Sequence, residues 1–260
     1  MSAATVRTER HDGVEIWTMD DPGTRNAITS PEMIAGIVEN VERVNGDTAV
    51  GCVILTGAGT VFSSGGNVHE MAERRGMFGG APYEQLRSYT HGIQRLARAI
   101  TTCETPLIAA VNGPAVGAGC DLTLMCDLRI ASSTASFAES FVRLGLIPGD
   151  GGAWLLTHLI GPARAAEMTL TGDPVPAPTA LDWGLVSSVS EPESLMSDSM
   201  ALAGRIARNP SSSLRMAKKL LRASQTGSFE SVLDLSAALQ PIAHHTEAHE
   251  AAIKAMVERL

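Results

Sequence analysis

The sequence is poor in aromatic residues and has no long apolar run. Phe, Trp and Tyr make up only 4% of its 260 residues, so a buried core must be built mainly from aliphatic side chains. No stretch approaches the roughly 18 apolar residues that a membrane-spanning helix needs. The first residues also lack the basic segment and apolar run of a signal peptide. We therefore expect a cytoplasmic protein that does not enter a membrane.

Basic clusters and paired cysteines are missing as well. The net charge is -8, and Lys and Arg form no run of the kind that binds nucleic acid. The cysteines form no C-x-x-C pair, so we expect no zinc site and no other bound metal. All four lie in apolar stretches and are expected to be reduced core thiols: Cys52, Cys103, Cys120 and Cys126.

Three common enzyme signatures are also absent. There is no G-x-x-x-x-G-K-[ST] phosphate loop, and no G-x-S-x-G elbow of a serine hydrolase. The run Gly117-Ala118-Gly119 lacks the third glycine of a dinucleotide-binding fingerprint.

What the sequence does contain is an alternation of strand-like and helix-like segments, which predicts an α/β fold. Ser30-Pro31 has the residue types that begin a helix, with Ser as N-cap and Pro in the first turn. The predicted segments are a strand at 14–18, a helix from 31, a strand at 49–56, a loop at 70–83, a helix at 86–100, strands at 106–111 and 127–131, a helix at 154–160 that ends at Gly161-Pro162, and helices from 193 onward.

Two glycine-rich segments are the candidates for chemistry. In the first, V-F-S-S-G-G-N at 61–67, Gly65 and Gly66 let the backbone approach a ligand and aim an N–H group at it; a plain tight turn is the alternative. In the second, a strand leads into Gly117-Ala118-Gly119, which opens a helix with Asp121 in its first turn. The positive N-terminal end of that helix suits a developing oxyanion, and Asp121 suits proton transfer, unless it is only a structural helix-start residue.

Together these two segments resemble the oxyanion-hole segments of the crotonase (enoyl-CoA hydratase/isomerase) family, in order and in separation. The stretch F-A-E-S-F-V-R-L-G-L-I-P-G-D-G-G-A-W at 137–154 resembles the family's next active-site segment. The runs L-T-G-D at 170–173 and A-L-D-W-G-L-V at 180–186 also match, and the resemblance spans residues 14–189.

The resemblance implies a spiral of ββα turns that binds acyl-CoA in residues 1–192, followed by a helical trimerisation region in residues 193–260. It implies a homotrimer or a dimer of trimers, with coenzyme A as part of the substrate and no separate cofactor. It places the two oxyanion-hole N–H groups on Gly66 and Ala118. Arg25 falls where the family often has a basic residue near the coenzyme A nucleotide, although a solvated turn residue is equally compatible. The other expected contacts to coenzyme A or substrate are Ala27, Ser64, Gly65, Gly117 and Phe141.

The sequence departs from typical hydratases at both catalytic glutamates. Asp121 stands at the first, which keeps a carboxylate with a shorter reach. Phe141 stands at the second and cannot transfer a proton. Glu139 and Asp150 are candidate replacements. Some isomerase-like members carry an acid in the later turn, but it aligns with Gly149, next to Asp150, so the register is open.

These features support three functional hypotheses. The first is an enzyme, a lyase or isomerase of the enoyl-CoA hydratase/isomerase type, that works through a thioester enolate. The second is a catalytically silent acyl-CoA-binding protein, which Phe141 favours. The third, an RNA-binding family member, is disfavoured by the acidic charge. His245 and His249 are expected on one helical face that is solvated or contacts another subunit.

Overall fold

The computed structural model describes residues 5–259, which form two sheets surrounded by helices. The strands are β1 (Thr5–His11), β2 (Val14–Asp20), β3 (Cys52–Gly57), β4 (Leu107–Val111), β5 (Ala115–Val116), β6 (Leu128–Ser132), β7 (Ser136–Ala138), β8 (Val175–Pro176) and β9 (Ser188–Ser190). The helices are α1 (Pro31–Gly46), α2 (Val68–Glu73), α3 (Pro82–His91), α4 (Ile93–Thr102), α5 (Ala118–Met125), α6 (Gly152–Thr171), α7 (Ala177–Asp182), α8 (Leu195–Ala207), α9 (Ser211–Ala223), α10 (Phe229–His244) and α11 (Glu247–Val257). Two 3₁₀ turns cover Gly76–Phe78 and Ser140–Leu144.

The chain winds as a spiral, because each turn adds one strand to each sheet. The long sheet has the order β1-β2-β3-β4-β6-β9, and its strands are parallel from β2 onward. The short sheet has the order β5-β7-β8, and Ser63 extends it by a parallel bridge to Ala115. Successive turns thus place Ser63, Ala115 and Phe137 side by side. This arrangement confirms the predicted ββα spiral.

Helices cover both faces of the long sheet. On one face, α1 packs its apolar stripe into the main core. This helix begins as predicted, since the Ser30 hydroxyl accepts a hydrogen bond from the Met33 N–H and Pro31 follows the cap. On the other face, α8 packs Leu195 and Ala203 against the strands. All four cysteines are buried free thiols, as expected.

The predicted loop at 70–83 was wrong. Asn67 caps a helix there, because its side-chain oxygen accepts hydrogen bonds from the N–H groups of His69 and Glu70. The segment therefore contains α2, a 3₁₀ turn and the start of α3. The predicted helix at 86–100 is two helices that meet at Gly92.

Two further helix ends bear on the predictions. The helix predicted to end at Gly161 breaks there, with φ of 78°, and then resumes within α6. The expected common face of His245 and His249 was wrong, because α10 ends at His244 and Thr246 caps a new helix. Within residues 5–259, no helix is both long and apolar enough to cross a membrane.

Candidate active site

The two glycine-rich segments lie side by side at the edge of the short sheet. The Val116 N–H donates to the Ser63 carbonyl over 3.0 Å, next to the bridge between Ser63 and Ala115. Gly65 has a φ of 80°, and a Cβ atom there would collide with the Val116 carbonyl oxygen and lie 3.1 Å from the Ala118 nitrogen. Position 65 therefore requires glycine, both for its conformation and for the approach of the two segments.

Gly66 and Ala118 each present an unpaired N–H group at this junction. Among the hydrogen bonds within residues 5–259, neither group donates to a protein acceptor. Ala118 is the first residue of α5, whose N-cap Gly117 has a φ of 53°. The peptide after Gly66 is held in place, since the Asn67 N–H donates to the Thr29 hydroxyl over 3.1 Å. Two fixed donors beside a helix N-terminus are suited to holding one anionic oxygen.

A buried asparagine that sequence reasoning missed supports this junction. Asn26 is 1% exposed and has a φ of 60°. Its amide nitrogen donates to the carbonyls of Ala58 and Val61 over 3.0 and 2.9 Å, and its oxygen accepts from the Asp21 N–H over 3.0 Å. Asn tolerates the left-handed conformation better than most residues, and an Asn in the turn at 24–27 is the sequence signal that could have indicated this role.

The predicted coenzyme A contacts lie on the same loop. Arg25 is exposed and Ala27 is buried. The Ser64 N–H donates to the Arg25 carbonyl over 3.0 Å, and the Ser64 hydroxyl donates to the Thr24 carbonyl over 2.7 Å. The loop and the first glycine-rich segment are therefore joined directly, and the Arg25 side chain remains free to reach solvent or a ligand.

Three candidate acids meet in one buried cluster. Asp121 and Glu139 are 0% exposed and Asp150 is 6% exposed. Asp121 lies within hydrogen-bonding reach of both other carboxyl groups. Within residues 5–259, their carboxyl oxygens accept no well-formed hydrogen bond. The Cys120 thiol lies near Glu139, and the backbone N–H groups of Gly149 and Asp150 lie near the Asp150 carboxyl. The cluster therefore has few donors of its own, and its members can share protons with one another or bind a ligand or water.

Burial makes this cluster retain protons. It raises the pKa of Asp121 well above its usual range, and the nearby Glu139 and Asp150 raise it further. Burial raises the pKa of Glu139 to about 7, against an opposing hydrogen bond from Asp121. Burial also raises the pKa of Asp150. Neighbouring carboxylates also repel one another, so the cluster resists losing all of its protons together.

Phe141 lies beside the N-terminus of α5. It is half-buried in the Ser140–Leu144 turn, and its Cζ atom lies 3.6 Å from where a Cβ atom of Gly117 would be. Glu139, two residues earlier, points into the acid cluster instead. The structure thus brings together all three predicted acids and both predicted donors, with Phe141 at their border.

Comparison with known proteins identifies the family of this chain. The family model described as enoyl-CoA hydratase/isomerase matches residues 9–260. The chain is 32% identical to the 1,2-epoxyphenylacetyl-CoA isomerase of Escherichia coli, over 95% of this chain and 93% of the relative. It is 34% identical to the crotonyl-CoA hydratase of Syntrophomonas wolfei, over 84% of this chain and 81% of the relative.

Solved structures agree as well. An enoyl-CoA hydratase from Bacillus anthracis superposes with a TM-score of 0.91 at 27% identity, covering 98% of this chain and 96% of the other. One from Polaromonas superposes with a TM-score of 0.90 at 29% identity, covering 98% and 97%. The chain has the crotonase fold and is an acyl-CoA enzyme that belongs to the enoyl-CoA hydratase/isomerase family.

Proposed function

We propose that this protein forms a thioester enolate and moves a proton between carbon atoms of an acyl-CoA. The thioester oxygen accepts hydrogen bonds from the N–H groups of Gly66 and Ala118. The observation that carries the proposal is the cluster of Asp121, Glu139 and Asp150, three buried carboxyls without a well-formed hydrogen bond to another group, beside those two unpaired N–H groups.

The two N–H groups lower the barrier by stabilising charge that develops on the thioester oxygen. They are held by the backbone and need no reorganisation during the reaction. Removing one such donor typically costs about 2.7–4 kcal/mol in barrier height. The partial positive charge at the N-terminus of α5 acts in the same direction at Ala118.

The acid cluster supplies the proton transfer. An ionised carboxylate of the cluster accepts the proton from the α-carbon. Asp121, which lies within hydrogen-bonding reach of both other acids, carries protons to and from the substrate. Asp121 lies one turn into the helix that begins at Ala118, so the cluster is close to the carbonyl that the helix start would hold. Such general acid–base help is worth typically about 10²–10⁴-fold in rate.

Isomerisation fits these residues better than hydration. Hydration requires a water molecule that is oriented and deprotonated beside the enoyl double bond. Typical hydratases hold this water between two glutamates, and Phe141 stands at the second of these positions. Its ring offers no strong acceptor for water. Moving a proton from one carbon to another needs no such water.

A catalytically silent acyl-CoA-binding protein is the second candidate, and Phe141 is the observation that favours it. The acid cluster opposes it. Burying three carboxyl groups that lack well-formed hydrogen bonds destabilises the fold, and proton transfer gives such a cluster a use that binding alone does not.

We also propose the division into an acyl-CoA-binding spiral at 1–192 and an oligomerising region at 193–260, with a trimer or dimer of trimers as the native state. Large apolar side chains stand exposed on the last three helices: Leu221, Phe229, Leu233, Ile242, Ile253, Met256 and Val257. Such a surface usually marks an interface.

The experiment is α-proton exchange in D₂O, measured by mass spectrometry on octanoyl-CoA and phenylacetyl-CoA. This reports enolate formation even when the natural acyl group is unknown. The protein should catalyse exchange, and Asp121→Asn should lose it by about 10²–10⁴-fold. Asp182→Asn, a change at an exposed acid on α7, serves as the control. Binding without exchange would support the silent alternative.

A further inference from the structure

Half-buried aromatic rings are concentrated around the candidate active site. The chain has only three Trp, two Tyr and five Phe residues. Three of them fill the core: Trp17, Phe62 and Phe137. Four others are half-buried, and three of these lie beside a glycine of a different active-site segment: Phe78, Tyr89 and Phe141. The fourth, Trp183, lies against Arg164. Three of the ten aromatic rings in this chain therefore lie at one site.

Two of these rings border the oxyanion donors. The Cζ atom of Phe78 lies 3.6 Å from where a Cβ atom of Gly66 would be. The Cζ atom of Phe141 lies at the same distance from that position on Gly117, the residue before Ala118. One ring therefore lies beside each of the two segments that carry the oxyanion donors.

The third ring lies against the acid cluster. Tyr89 Cε1 is 3.1 Å from where a Cβ atom of Gly149 would be, so the ring occupies the space that a side chain at position 149 would enter. The Gln94 side chain fixes this turn by donating to the Gly149 carbonyl over 2.9 Å. Burial raises the pKa of Tyr89, and the charge of the neighbouring Asp150 raises it further.

We propose that the acyl group of the substrate is a flat aromatic ring, which packs among Phe78, Tyr89 and Phe141. This inference rests on the proposed acyl-CoA function. Aromatic rings attract one another in edge-to-face and offset arrangements, through the positive edge and negative face of each ring. Each such pair is worth roughly a factor of 2 to 12 in an equilibrium constant beyond the effect of buried area. A saturated chain or a puckered ring cannot make these contacts.

Three thioesters with eight-carbon acyl groups test the inference: phenylacetyl-CoA, cyclohexylacetyl-CoA and octanoyl-CoA. Titration calorimetry on the full-length protein should show phenylacetyl-CoA binding at least about fivefold more tightly than either of the others. Equal binding of the cyclohexyl and phenyl compounds, or tighter binding of octanoyl-CoA, would overturn the aromatic proposal and leave the acyl-CoA function intact. If none of the three binds, both proposals fail.

Variants assign the preference to the rings. Phe78→Leu and Tyr89→Leu should each reduce the ratio of phenylacetyl-CoA to cyclohexylacetyl-CoA affinity by about 2- to 12-fold, whereas Tyr89→Phe should retain it. Phe229→Leu changes an exposed ring on α10 and is the matched control. If Phe78→Leu and Tyr89→Leu both leave the ratio of affinities unchanged, the two rings do not contact the acyl group.

Discussion

Asp121 packs against Gly152 so closely that a Cβ atom at position 152 would overlap its carboxyl group. Gly152 is the first residue of α6, and Asp121 lies in the first turn of α5. The starts of two helices therefore meet at the acid cluster, and the missing side chain of Gly152 makes room for the Asp121 carboxyl.

Gly152→Ala should displace the Asp121 carboxyl and reduce α-proton exchange by about 10²-fold or more, because proton transfer depends on its position. The protein should remain folded. Gly204→Ala is the control, since nothing lies within 4 Å of a Cβ atom at that position on α8. Full exchange activity in Gly152→Ala would show that the position of Asp121 is unimportant.

The raised pKa of Glu139 should make the free energy of unfolding depend on pH. The folded protein holds this proton up to about pH 7, whereas the unfolded chain releases it near the ordinary value of about 4.3. The contribution of the Glu139 proton to the free energy of unfolding should therefore be fully present below about pH 4.3 and be lost as pH rises from there toward 7. Glu139→Gln removes this titration. Chemical denaturation across the pH range should show the variant gaining relative to wild type as pH rises, and a constant difference would contradict the assignment.

Gly65→Ala should abolish acyl-CoA binding, because the added Cβ atom would collide with the Val116 carbonyl and separate the two donor segments. Gly59→Ala is the matched control. It has a similar φ of 73° but open space around its Cβ position, so it should cost only about 1–2 kcal/mol of stability. Titration calorimetry with phenylacetyl-CoA distinguishes them. Equal binding by the two variants would argue against the site.

Crotonyl-CoA should be a poor substrate for hydration by the wild-type protein. Phe141→Glu should raise the rate, because it adds a group that accepts a hydrogen bond from water. Phe141→Leu removes the ring without adding an acid and serves as the comparison. The measurement is kcat/KM for hydration. Efficient hydration by the unmodified protein would mean that another residue orients the water.

The protein should sediment as a trimer or a dimer of trimers at micromolar concentration, because the exposed apolar side chains of α9, α10 and α11 need a partner surface. Analytical ultracentrifugation measures this directly. Leu233→Lys, which places a charge at a half-exposed position on α10, should favour the monomer. A monomeric wild-type protein would refute the proposal.

Several parts of this structure could be predicted from the sequence because their signals are local. The Ser30-Pro31 start of α1 depends on neighbouring residues only. The paired glycines at 65–66 and the small residues at 117–119 mark close backbone approaches, whatever the rest of the chain does. The segment at 70–83 was missed because its helix depends on one cap, Asn67, that also ends the glycine motif.

The sequence by itself determined the alternation of strands and helices that gives an α/β fold, the two glycine-rich segments and the presence of acids at 121, 139 and 150. Only the tertiary structure decided that these three acids share one buried cluster and that Phe141 stays outside it. The separation of Asp121, Glu139 and Asp150 along the chain does not predict that their carboxyl groups meet. The spiral places successive turns side by side, and the pKa of a carboxyl group depends on the water and charge around it, which only the packed turns create.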